Sequence, residues 1–193
     1  MVDVSDQTLS DKELNSKINQ FFKEVVEGFL YHDIQSAIDG KANYLAALGL
    51  VVYTEFMGGL VNGTLGKTGK SKTRFYAFWN RMGPEYESVA TKRALVKIYS
   101  NVRSGLVHSY FISQDSMVNM TIGDGEGNHC GIEVREPGGK VLFIVEKYFQ
   151  DFKVACDTYR KELVEQQDAQ LLQKFREAVG QQWWEKALSQ SSS

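Results

Sequence analysis

The stretch 101-NVRSGLVHSYF-111 places Arg103, His108 and Tyr110 within eight residues, with no acidic residue among them. A histidine has a reference pKa of about 6.5, so His108 can take up or release a proton near neutral pH. An arginine stays charged and grips a phosphate with two parallel hydrogen bonds. The combination suits acid–base work on a phosphate held in place. The same residues also have a structural reading. Arg103 can sit at the carboxyl end of a helix, His108 can be a hydrogen-bonded residue between helices, and Tyr110 can be an aromatic at the edge of the core.

Other chemistry-bearing positions are less organised. His129 and Cys130 have no second ligand pair at metal spacing, so no metal site is expected. Cys156 lies on an apolar helical face, where a core thiol is the simpler reading than a nucleophile activated by His108. His32-Asp33 reads as a surface or capping pair, and Trp183-Trp184 as a packing anchor. The segment 58-GGLVNGTLGKTGKSKTR-74 invites comparison with a phosphate-binding P-loop, whose pattern is G-x-x-x-x-G-K-[ST]. It fails, because the required first glycine is Val61 in one frame and Thr64 in the other, and no strand precedes it. What remains is a basic loop carrying Lys67, Lys70, Lys72 and Arg74, suited to phosphate contacts without that cradle.

Charge is unevenly distributed. Between residues 56 and 114, nine basic residues face only Glu85 and Glu87, a balance of +7. A total of −2 leaves −9 on the remainder. Such segregation suits a polyanion-facing surface.

The elements that would position these groups are mainly helical. Leu14, Ile18, Phe21, Phe22, Val25, Val26, Phe29 and Leu30 recur at helical spacing within 8–38, with Ser10 and Glu13 as a capping box. Residues 41–60 form a second helix, apolar on most faces and ending in glycines, expected at the centre of a bundle. A short aromatic helix (73–80) precedes one opening at Pro84 and running to about 102, with Tyr86 and Val89 on its buried stripe. Three β-prone runs, 117–123, 129–135 and 140–146, are separated by GDGEGN and EPGG and read as an antiparallel meander. Helices at 148–166 and 168–188 close the chain.

The expected fold is therefore mainly α: a helical bundle with a small three-stranded antiparallel β meander before the C-terminal helices. One domain is expected over 1–193, with a helical core at about 8–112, the meander at about 115–146, C-terminal helices at about 147–188 and flexible termini. An apolar fraction of 42% supplies a core, and two cysteines provide no disulfide framework. The most apolar run, 44–53, is about half the length of a membrane span, and the polar N-terminus lacks signal-peptide character. A soluble cytoplasmic protein with no membrane association and no cofactor is expected.

The pattern R-x4-H-x-Y formed by Arg103, His108 and Tyr110 resembles the signature of HEPN-domain proteins, and the form with the tyrosine is similar to that of HepT toxins. The resemblance covers about eight residues within a helical context, with Ser104 following the arginine. It implies a metal-independent endoribonuclease of a toxin or defence system. Arg103 would hold the phosphate, His108 would be the acid–base group, and Ser104 would orient one of them. It also implies a homodimer with two motifs facing one cleft. Tyr110 would be a regulatory site, modified by an antitoxin-type nucleotidyltransferase partner. The competing reading is a non-catalytic dimeric interaction or regulatory module.

Overall fold

A computed structural model describes residues 10–91, 99, 116–121, 130–135, 140–166 and 168–180. The described residues begin with a helical rod in three consecutive parts: α1 (Asp11–Phe21), a π-helical stretch (Phe22–Tyr31) and α2 (His32–Asp39). Ser10 caps it as the sequence suggests, its hydroxyl accepting from the Glu13 N–H while the Glu13 carboxylate accepts from the Ser10 N–H at 3.0 Å. Phe22, Val26, Leu30 and Ile34 are buried at every fourth position. A strict four-residue repeat drifts around an α-helix, and the wider π turns reverse that drift, keeping the line against the core.

Helix α3 (Asn43–Asn62) is central, packing against α2, α4 (Ser71–Trp79), α6 (Val145–Lys161), α7 (Ala169–Val179) and β1 (Ser116–Asn119). It runs past the glycines expected to end it. Gly58 and Gly59 lie inside the helix, and a Cβ on Gly58 would sit 1.7 Å from the Arg74 carbonyl oxygen. These glycines let α4 approach closely. The helix ends instead at Gly63, whose φ of 65° is left-handed. Its N–H bonds the Leu60 carbonyl while that of Thr64 reaches back to Gly59, the two bonds of a Schellman motif. At 20 residues, α3 is long and apolar enough to cross a membrane, yet 56% of its most apolar window is buried inside the protein.

Helix α5 (Pro84–Thr91) begins where Pro84 predicts it, with Tyr86 and Val89 buried. Of its expected continuation to about 102, only Tyr99 is among the described residues. After α6 a short π-helical stretch (Glu162–Gln166) precedes α7, which Asp168 caps by accepting from the N–H groups of Gln170 and Leu171.

The three strands are β1, β2 (Ile132–Arg135) and β3 (Lys140–Ile144), in the order β1-β3-β2. The antiparallel meander is corrected here: β3 is central, antiparallel to β2 but parallel to β1, so the sheet is mixed. Val141, Leu142, Phe143 and Ile144 are all at most 5% exposed, and such a continuous apolar run belongs at a sheet's centre. Met117 on β1 is 52% exposed, as an edge strand tolerates. Twenty residues, β2 among them, separate β1 from β3 in sequence, enough for the crossover that parallel pairing demands. Helix α6 starts directly after β3, so Val145 and Glu146, expected at the end of a strand, are helical.

Helices and sheet share one hydrophobic cluster. Phe21 meets Phe175 edge-on at 5.3 Å, joining α1 to α7. At the other end, the Trp79 indole N–H donates to the Tyr86 carbonyl at 2.8 Å. The Tyr86 hydroxyl donates to Asp151 at 2.8 Å and accepts the Gly131 N–H at 2.9 Å. This network ties α4, α5, the sheet and α6 together.

Candidate functional site

The basic loop is built around Arg74. Gly66 and Gly69 both have left-handed φ, turning the chain twice between α3 and α4. The Arg74 guanidinium donates to the carbonyls of Thr64 (3.1 Å) and Lys67 (2.8 Å), the Ser71 hydroxyl (3.2 Å) and the Glu55 carboxylate (2.9 Å). Its side chain is only 13% exposed and that of Glu55 12%. Arg74 therefore holds the loop's backbone from inside and has its donors engaged there. That inward engagement leaves little of Arg74 at the surface for the phosphate contact expected of it.

Lys67, Lys70 and Lys72 are exposed on and beside that loop. Three ammonium groups on a chain segment pinned by an internal guanidinium make a pre-shaped cationic surface, which favours phosphate binding because less ordering entropy is lost. A small cavity of about 190 Å³ lies beneath, lined by Val52, Glu55, Phe56, Leu65, Gly66 and Arg74.

Arg103, Ser104, His108 and Tyr110 lie outside the described residues, as do His129, Trp183 and Trp184. The described residue nearest the motif in sequence is Tyr99, four positions before Arg103. Its ring packs against Phe75 at 5.4 Å and Tyr76 at 6.3 Å, both on α4, the helix that also carries Lys72 and Arg74. Tyr99 and the basic loop thus meet on one helix.

The remaining candidates take structural places. Cys156 is fully buried beside the Tyr31 hydroxyl, and burial pushes its thiol up. Cys130 donates to the Ile132 carbonyl at 2.9 Å, and burial raises it too. Both cysteines are unpaired. Exposed His32 stands 3.9 Å from the Asp33 carboxylate, whose other oxygen accepts from the Tyr53 hydroxyl at 2.8 Å. That phenol is pushed up to about 12 by burial and by Asp33. Among the described residues no cluster of three metal-ligating side chains occurs.

Two partnerships escaped the sequence reading. Glu55 is the only charged residue in α3, and a lone acid in an apolar helix is the signal that a buried cation awaits it. Asp151, which accepts from Tyr86 and Gly131 and pairs with Lys147, carried no such signal because α6 is rich in charge. Comparison of the chain with known protein-family models, with characterised proteins and with solved structures finds no match.

Proposed function

We propose that this protein is HEPN-like and acts on or binds RNA, with metal-independent endoribonuclease chemistry at Arg103 and His108. The single structural observation in its favour is the packing of Tyr99 on α4, beside the segment that displays Lys67, Lys70 and Lys72. In this reading the lysines guide the RNA backbone, Arg103 holds the scissile phosphate, and Ser104 orients one of the pair. His108 moves the proton while the neighbouring 2′-hydroxyl attacks phosphorus and the 5′-oxygen leaves. Tyr110 is the regulatory position, open to modification by a nucleotidyltransferase partner in the cytoplasm. A homodimer would present two motifs to one cleft.

Arg103→Ala and His108→Ala each abolish cleavage while leaving circular dichroism and the unfolding midpoint unchanged. If both variants unfold, the residues are structural and the proposal fails. Charge reversal of Lys67, Lys70 and Lys72 weakens binding of single-stranded RNA. Loss of three phosphate contacts lowers the salt slope of log K by about 2. The second reading, a non-catalytic interaction module, is favoured by the apolar surface that α3 leaves uncovered.

A further inference from the structure

Helices α2 and α3 are joined by a turn that is pinned on itself. The N–H groups of Gly40, Lys41 and Ala42 donate back to the carbonyls of Ser36, Ile38 and Ala37 at 2.8–3.0 Å. Beside this clamp, between the two helices, lies a hollow of about 460 Å³. Its apolar walls are Ile34 and Ala37 from α2, with Ala42, Leu45 and Gly49 opposite. Gly49 belongs to the floor. A Cβ there would sit 2.6 Å from the Ile34 Cδ1, so a side chain at 49 would displace that methyl and take up room in the hollow.

Asp33, Ser36 and Tyr53 complete the lining, and Asp33 is its only charged group. His32 and Lys41, the basic residues nearest in sequence, do not line it. The Tyr53 hydroxyl donates to Asp33 Oδ2 at 2.8 Å. Burial and Asp33 push that phenol up to about 12, so it keeps this proton at neutral pH and holds the carboxylate in place. Oδ1 meets no donor within hydrogen-bond distance among the described residues, the His32 Nδ1 standing 3.9 Å away. A carboxylate with one oxygen fixed and the other open thus stands at the mouth of an apolar hollow.

We propose that this hollow is a binding site for a small organic cation, an amphipathic amine. Its apolar body fills the space between α2 and α3, and its ammonium group donates to Asp33 Oδ1. The volume falls within the range of about 300–1,000 Å³ usual for small-molecule sites, and apolar walls with a few convergent polar groups are their usual lining. The clamp and the Tyr53 bond shape the site in advance, which lowers the ordering cost of binding. An anionic ligand would set two like charges side by side. A metal ion would find one carboxylate where it needs several oxygen ligands. The site lies at the opposite end of α3 from the basic loop and stands independently of the RNA reading.

The Asp33 side chain is 58% exposed, so water competes for the ammonium group. An ion pair that open strengthens binding by about two- to fivefold. Apolar burial therefore supplies most of the affinity, and the carboxylate decides which charge is accepted.

Titration calorimetry with hexylamine, hexanol and hexanoate at neutral pH tests the assignment. The amine binds about two- to fivefold more tightly than the alcohol, and the acid binds most weakly. Asp33→Asn brings the amine down to the level of the alcohol and leaves the alcohol unchanged. Gly49→Leu fills the floor and removes binding of both, with circular dichroism and the unfolding midpoint retained. Ala37→Leu closes the hollow from the α2 side and serves if Gly49→Leu does not fold. In the wild type, amide shifts on adding the amine fall on α2 and α3. Failure of the amine to bind overturns the proposal, as does an acid that binds as tightly as the amine. So does an Asp33→Asn variant that still prefers the amine, or binding that survives in a folded hollow-filling variant.

Discussion

Replacing Arg74 with alanine tests whether the basic loop is held from within. The guanidinium makes four hydrogen bonds, two to loop carbonyls and one to a carboxylate whose side chain is 12% exposed. Removing one member of a buried pair costs about 3–5 kcal/mol, chiefly because the other charge is left in a poorly solvated place. The pair's 12–13% exposure gives water some access, so the lower end applies, about 3 kcal/mol. Glu55→Gln in the same background removes the stranded charge and recovers about 1–2 kcal/mol of that loss. Urea unfolding of the four members of this cycle gives both numbers, read at constant m-value. An Arg74→Ala cost below about 1 kcal/mol, or strict additivity with Glu55→Gln, would refute the claim that this pair organises the loop.

Four further outcomes follow from the core. Gly58→Ala gains up to about 1 kcal/mol of helix propensity, but the 1.7 Å approach to the Arg74 carbonyl forces α4 outward. The variant should therefore lose a net ~1–3 kcal/mol by urea unfolding. Tyr86→Phe removes the donor to Asp151 and the acceptor for Gly131, costing about 1–3 kcal/mol, and a neutral result would discount the network. The phenols of Tyr86, Tyr148 and Tyr159 are all held above the usual range, mainly by burial. The unfolded chain therefore loses these protons first, and stability falls as pH rises through about 10, adding to a smaller fall that begins at about pH 8.5, where the two buried thiols would ionise in the unfolded chain. Because burial also raises both thiols, neither cysteine reacts with a thiol reagent at pH 8 until denaturant is added.

Helical periodicity and capping chemistry are local properties, and they were legible. Ser10 with Glu13, Pro84 at the start of α5, and the nearly all-round apolar character of α3 each led to the observed element. The misreadings have a common cause in non-local geometry. Gly58 and Gly59 looked like a helix end because nothing nearby in sequence reveals that α4 must pass within contact of them. The sheet looked like a meander because turn-rich separators suggest neighbouring strands. Strand order is decided instead by which strand is apolar on both faces, and that is β3. The lysines of the candidate site were legible as charge. The inward role of Arg74 depended on Glu55, nineteen residues away on another helix.

The most direct test of the RNA reading is cleavage of a defined single-stranded RNA by purified protein in excess EDTA, with the product ends identified. The proposal predicts 2′,3′-cyclic phosphate and 5′-hydroxyl ends, no cleavage of the matching DNA, and loss of activity in folded His108→Ala. Intact RNA after incubation with the wild type would contradict it, as would unchanged cleavage by His108→Ala.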